Sequence, residues 1–193
     1  MKHLKQENYQ ISDWSGGKTI QIAIAPEGAL YADRDFLWRL SSATVDLDES
    51  DFTALPDYMR WIAPIRGDMR LVHNAGAAVE LMPYQPHRFD GADDTHSWGR
   101  CTDFNLMLRK GACDGEIGSV CVKAQEEKLL PPHAGAETVI VYCTEGTVSV
   151  EANGECVTLQ EKEAALLERE EICTLTLKSA GGGSAMWAQT WND

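Results

Sequence analysis

A pattern that occurs twice limits this chain more than any other feature. The first copy runs Ile65-Arg66-Gly67-Asp68-Met69-Arg70-Leu71, then Gly76, Leu81, Pro83 and Pro86-His87-Arg88-Phe89. The second runs Thr144-Glu145-Gly146-Thr147-Val148-Ser149-Val150, then Gly154, Leu159 and Glu163-Ala164-Ala165-Leu166-Leu167. Setting Gly76 against Gly154 places Leu81 opposite Leu159 and Phe89 opposite Leu167, with one residue inserted between the glycines of the first copy. Strand, glycine turn, strand, glycine turn and strand, repeated after about 78 residues, describe two similar β halves. We draw them as residues 1–111 and 112–193.

Two stretches outside the repeat alternate with period two. In residues 102–111, Phe104, Leu106 and Leu108 face one way, Asp103, Asn105 and Met107 the other, and Gly111 closes the strand with a turn. In residues 36–45, Phe36, Trp38 and Leu40 share one face, and Arg39, Ser41 and Ala43 share the other. Solvent faces are usually covered by long Lys and Glu side chains. Short Asp and Asn beside Met, and an Arg among small residues, suit a partly enclosed cavity. A surface strand with a solvated Arg alternates in the same way, so the faces alone leave both readings open.

The rest of the chain is also strand-like. Trp14-Ser15-Gly16-Gly17 is a tight turn before the alternating residues 19–24. Residues 58–65 alternate loosely, and Pro64 marks an edge strand or a bulge there. Only residues 125–129 and 159–171 look helical, and the second fits the repeat better as strand. Gly181-Gly182-Gly183 is a loop before the last strand.

These stretches carry a resemblance. "FLWRLSSATV" at 36–45 and "TDFNLMLRKG" at 102–111, with "WSGG" at 14–17 before them, resemble the HutD/Ves family. The rhythm of Glu145-Gly146, Val150, Gly154 and Leu159 is similar to that of cupin barrels. The resemblance implies an all-β cupin or jelly-roll fold (a double-stranded β-helix) with two similar halves, bicupin-like, which removes exposed sheet edges and leaves a cavity. It implies an association with histidine utilisation in the HutD branch, and no firm catalytic activity. It also makes the turn of Trp14, Ser15, Gly16 and Gly17 a rim of the pocket.

Composition narrows the partners. The net charge of −13 repels nucleic-acid phosphates. It repels small anions only at long range, because salt screens the field beyond about 8 Å, so a local Arg pocket can still hold one. The six cysteines never fall in a Cys-x-x-Cys spacing, against a zinc knuckle or redox pair. The polar start of the chain and the lack of an apolar run near ~20 residues lead us to expect a cytoplasmic protein with reduced thiols and no membrane contact. The six scattered tryptophans suit core positions or a dimer surface, so a homodimer is the assembly the sequence allows.

Metal cupins carry two His and a Glu before the first glycine and a third His after the second. No histidine except the distant His3 precedes Gly67, and His87 stands alone near the later position. In the second half His133 and Glu137 precede Gly146, but Ala165 occupies the downstream position. We therefore expect no metal and no cofactor. Ser15, Ser41 and Ser42 lack an evident His partner, and no nucleophile elbow, P-loop or dinucleotide fingerprint is present.

Arg39, Ser41, Arg60, His87, Asp103 and Asn105 remain, all on or beside expected strands. A buried guanidinium without a partner costs several kcal/mol, so Arg39 needs either Asp103 or the carboxylate of a ligand. With Asp103 it is structural. With a ligand, Arg39 and Arg60 offer forks for a carboxylate, Asn105 reads an amide or acyl group, and Ser41 adds a hydroxyl. The expected function is metal-independent binding of a small anionic ligand (a carboxylate, acyl amino acid or imidazole acid) with a regulatory role in histidine or amino-acid catabolism. The alternatives are a metal-free isomerase or acyl hydrolase using His87 or Asp103 as general base, and a barrel filled by its own side chains.

Overall fold

The computed structural model describes residues 1–193 and contains eighteen strands, three short 3-10 turns and no α-helix. In chain order the first strands are β1 (Lys2–Leu4), β2 (Gln10–Trp14), β3 (Gly17–Ala25), β4 (Trp38–Val45), β5 (Glu49–Asp51) and β6 (Tyr58–Arg66). Next come β7 (Met69–His73), β8 (Ala78–Leu81), β9 (His87–Asp90), β10 (Thr95–Trp98), β11 (Cys101–Arg109) and β12 (Cys113–Val122). The last are β13 (Glu127–Leu130), β14 (Ala136–Ala152), β15 (Glu155–Gln160), β16 (Ala164–Glu168), β17 (Leu175–Lys178) and β18 (Gly183–Asn192). The architecture is all-β and cupin-like, as expected. Residues 125–129 and 159–171, which look helical in sequence, contribute β13, β15 and β16 instead.

Residues 10–113 form one unit, and residues 1–9 with 114–193 form another. The chain thus passes between units at 113/114, where the repeat alone suggests 111/112. The first nine residues join the later unit because β1 pairs antiparallel with β16, Lys2 opposite Leu166.

The unit of residues 10–113 has two sheets. One has the order β2-β3-β4-β11-β6-β9 and the other β5-β10-β7-β8. β4 and β11 lie in the middle of the first sheet and are buried on both faces, which explains why Trp38, Leu40, Phe104 and Leu106 can sit back to back with polar residues. β6 lies between β11 and β9, so Pro64 is not on an edge strand. Instead the register slips next to it: Asp103 pairs with Pro64 and Thr102 with Arg66. Skipping Ile65 makes this a bulge, the place where a missing N–H is tolerated.

The later unit is built on β14, a seventeen-residue strand that pairs with β15, β16, β17 and β18. Its interior is apolar, with Val139, Val141, Val148, Leu159, Leu167 and Leu177 all at or below 1% exposure.

The duplication is visible in the backbone. Gly67 and Gly146 both have positive φ, +71° and +66°. A Cβ on Gly67 would lie 2.4 Å from the Arg100 carbonyl oxygen, and one on Gly146 would lie 2.4 Å from that of Gly182. Equivalent glycines let two strands approach equally closely in each unit. The alignment that pairs these glycines sets Arg60 against Val139, and the one that pairs Gly76 with Gly154 sets His87 against Ala165. One unit therefore carries polar groups where the other is filled with hydrocarbon.

Candidate functional site

A cavity of about 260 Å³ opens in the unit of residues 10–113. The strand register explains its lining. Met107 pairs with Arg39 on one side and with Arg60 on the other, and Phe89 follows Arg60. One rung along, Asn105 pairs with Ser41 and Ile62, with Gln21 beyond Ser41 and His87 beyond Ile62. Asp103 stands a further rung away, beside Ala43. Side chains on one face recur every second residue, about 7 Å apart. The cavity is thus bordered by arginines on one rung, Asn105 on the next and Asp103 on the third.

Arg39 does not pair with Asp103. Its Nε donates to Gln21 Oε1 at 2.8 Å and its Nη1 to Ser41 Oγ at 3.2 Å, both neutral acceptors that leave its charge uncompensated. Burial holds its guanidinium below the ordinary arginine value, an effect that Tyr31 and Asp103 offset in part. Arg60 is more isolated. It is 6% exposed, and its Nε has no hydrogen-bond partner. Its guanidinium carbon lies 4.8 Å from the Phe52 ring centre and 5.0 Å from that of Phe89. Aromatic faces attract a cation but accept no strong hydrogen bond, and burial brings the Arg60 pKa down to about 10.

The acceptors are equally exposed to need. Asn105 is 5% exposed, and its Oδ1 has no partner. A buried amide oxygen left unpaired costs about 1–3 kcal/mol. Asp103 Oδ1 accepts the Ala43 amide at 2.9 Å, and its backbone carbonyl accepts the Ser42 hydroxyl at 2.6 Å. No hydrogen bond reaches Asp103 Oδ2. Burial raises its pKa to about 6, against the lowering effect of the Ala43 amide, Arg60 and Arg39.

The walls also contain residues the sequence reading passed over. Tyr31, from a stretch that reads only as polar and turn-rich, lines the cavity with the Arg34 and Arg39 guanidinium carbons 3.9 and 4.3 Å from its ring centre. The loop that carries it is tied down by Arg109, whose Nε donates to the Phe36 carbonyl and Nη2 to that of Arg34, both at 2.9 Å. Tyr58 stacks on Phe36 with ring centres 4.3 Å apart and donates to the Phe36 carbonyl. Phe52 enters from the segment after β5. No pairwise sequence pattern marks Tyr31 or Phe52, because each arrives through a loop.

Of the ten residues singled out by sequence, Arg39, Ser41, Arg60, Asp103, Asn105 and Trp14 line this cavity, and Ser15, Gly16, Gly17 and His87 are not among its lining residues. Ser15 and Gly16 form the turn of the β2–β3 hairpin, in which Trp14 pairs with Gly17. A Cβ on Gly16 would fall 2.2 Å from the Trp14 ring, so Gly16 gives the ring its place at the rim. His87 meets His73, Nε2 to Nε2 at 3.0 Å, and His73 Nδ1 lies 2.8 Å from Thr95 Oγ1. Ring centres 5.1 Å apart with facing nitrogens that close mean that the imidazoles meet edge to edge and share a proton. No group of three or more His, Cys, Asp or Glu side chains is placed to hold a metal ion, all six cysteines are free thiols, and no helix is long and apolar enough to cross a membrane.

Comparison with known proteins agrees with the fold. The chain is similar over its whole length to a conserved protein of unknown function from Pseudomonas aeruginosa PAO1, at 20% identity and TM-score 0.81, covering 98% of that chain. It is similar to HutD from Pseudomonas fluorescens SBW25, in a structure of the formate condition, at 21% identity and TM-score 0.77, again over 100% of this chain and 98% of that one. YhhW from Escherichia coli shares the fold at 10% identity and TM-score 0.69, over 97% and 96% of the two chains. No curated protein matched. The HutD family model matches residues 6–187. Nearly the whole chain is covered by that match, and the chain belongs to the HutD family.

Proposed function

We propose that this protein binds a small carboxylate-bearing molecule in the cavity between Arg39, Arg60, Asn105 and Asp103, and that it serves histidine utilisation as a ligand-responsive regulator. One observation carries this reading. Arg60 and Asn105 are each more than nine-tenths buried, and each holds a polar atom without a partner at the same cavity. A protein gains nothing in stability from such atoms, so they fit a site completed by a ligand. A carboxylate suits the two guanidinium groups, and an N–H donor suits the Asn105 oxygen. The family name connects the ligand with histidine breakdown. The formate condition of the Pseudomonas fluorescens relative makes formate the smallest probe to include.

The test is a thermal-shift and calorimetric screen of formate, glutamate, histidine, urocanate, formylglutamate and formiminoglutamate, each with and without divalent metal. A ligand at 100 times its Kd stabilises by about 2.7 kcal/mol. Metal-independent binding that Arg60→Met removes is the expected result, and a flat panel for wild type refutes the reading. A second reading has one observation in its favour. A cavity carboxyl titrating at about 6 suits a general base, so turnover of any bound compound should be followed with Asp103→Asn as the control.

A further inference from the structure

The acceptors in the cavity say more about the ligand than the arginines do. Asn105 Oδ1 and Asp103 Oδ2 belong to neighbouring rungs on one face of β11, whose backbone positions recur about every 7 Å, and no hydrogen bond reaches either oxygen. The groups beside them are engaged with one another: Ser41 Oγ accepts from Arg39, the Ser42 hydroxyl and the Ala43 amide both serve Asp103, and Gln21 Oε1 is held by Arg39. At the opposite rung stand the Arg39 and Arg60 guanidinium groups, with no carboxylate within salt-bridge distance of either. The cavity therefore has a donor end and an acceptor end. A ligand that is only an anion completes the first and leaves the second unpaired.

We infer that the ligand is amphoteric, and that Asp103, with Asn105, selects a protonated planar nitrogen base (an amidinium or imidazolium) on a molecule whose carboxylate binds Arg39 and Arg60. The inference rests on the proposed binding site and makes Asp103 its specificity-determining residue. An amidinium or imidazolium presents N–H groups on two sides, so one can reach the Asp103 oxygen and another the Asn105 carbonyl. The cation also neutralises a carboxylate that burial otherwise disfavours. The raised Asp103 pKa agrees with a carboxylate that lacks this partner in the free protein.

Matched ligands test it on the intact chain. Formiminoglutamate and formylglutamate share one skeleton and differ in an amidinium against an amide. Urocanate and trans-cinnamate differ in imidazole against phenyl. Calorimetry at pH 6.5 should show the basic member of at least one pair binding at least tenfold more tightly to wild type. Asp103→Asn should erase that preference. The wild-type ratio stands as a test even if the variant folds poorly. Equal or tighter binding of the neutral member in both pairs, still dependent on Arg60, overturns the inference and leaves the carboxylate site intact. So does a preference that survives in Asp103→Asn. Binding of neither member of either pair, with no response to formate, removes both the inference and the site it rests on.

Discussion

Replacing Arg60 by Met separates stability from function. The lowering of the Arg60 pKa from 12.5 to about 10 corresponds to about 3 kcal/mol by which the folded protein disfavours that charge, at 1.36 kcal/mol per unit. Its contacts with Phe52 and Phe89 return part of this, at roughly 0.5–2 kcal/mol per ring. Met keeps the length of the side chain, packs against the same two rings and removes the unpaired Nε. The unliganded variant should therefore be more stable than wild type by roughly 1–3 kcal/mol, in line with other buried charges replaced by apolar residues. At about 2–4 °C per kcal/mol for a chain of this size, the gain is a Tm increase of roughly 2–12 °C. Affinity should fall at the same time by about 2–5 kcal/mol, the usual cost of removing one partner of a buried charged contact. Urea denaturation of the free protein measures the first effect and calorimetry the second. A variant less stable than wild type without ligand would refute the reasoning, because it would show that Arg60 already has its partners in the free protein.

Three further outcomes are expected. Asp103 has a folded pKa of about 6 against 3.8, so its contribution to stability is complete below 3.8 and is lost as pH rises through about 6. The stability of Asp103→Asn relative to wild type should accordingly increase by about 3 kcal/mol between pH 3.5 and 7, and a pH-independent difference would contradict the burial of that charge. His73 and His87 behave in the opposite sense. Burial lowers both below 6.5, with Arg60 adding to the effect on His73, Asp93 opposing it, and His73 lowering His87. The unfolded chain then binds more protons as pH falls below 6.5, so acid should weaken wild type more steeply than His87→Leu, and nuclear magnetic resonance titration should put both midpoints under 6.5. Finally, Gly16→Ala should displace the Trp14 ring, which is 37% exposed and free to move outward. The melting temperature should change little while ligand affinity falls, and unchanged affinity would remove Trp14 from the rim.

The sheet that carries the site was legible because its signal is short-range. Alternation in β4 and β11 places Arg39, Ser41, Asp103 and Asn105 on one face, and a closed cupin fold turns that face inward. Pro64 likewise announces an edge strand or a bulge, and the register slip beside it is the second of these. What stayed hidden depends on contacts distant in sequence. The hairpin strand β2 is exposed along its length and has no buried face to produce a pattern. Tyr31 and Phe52 reach the cavity from loops whose paths are set by Arg109 and by the second sheet. Whether Arg39 meets Asp103 is decided by two rungs of register and by Gln21, a residue on a third strand. The pairing of His87 with His73 depends in the same way on strands that belong to different sheets.

The interleaving of the two units has a consequence for the growing chain. Residues 10–113 contain every strand of their own two sheets, so the closing of this unit needs no strand from residues 114–193. The other unit is different. β1 is made first, yet its partner β16 comes near the end, and His3 waits for a carboxylate on Glu163, 160 positions later. Closing so long a loop is slow compared with local strand pairing. During synthesis residues 1–9 therefore stay without their strand partner until residues 163–166 have been made.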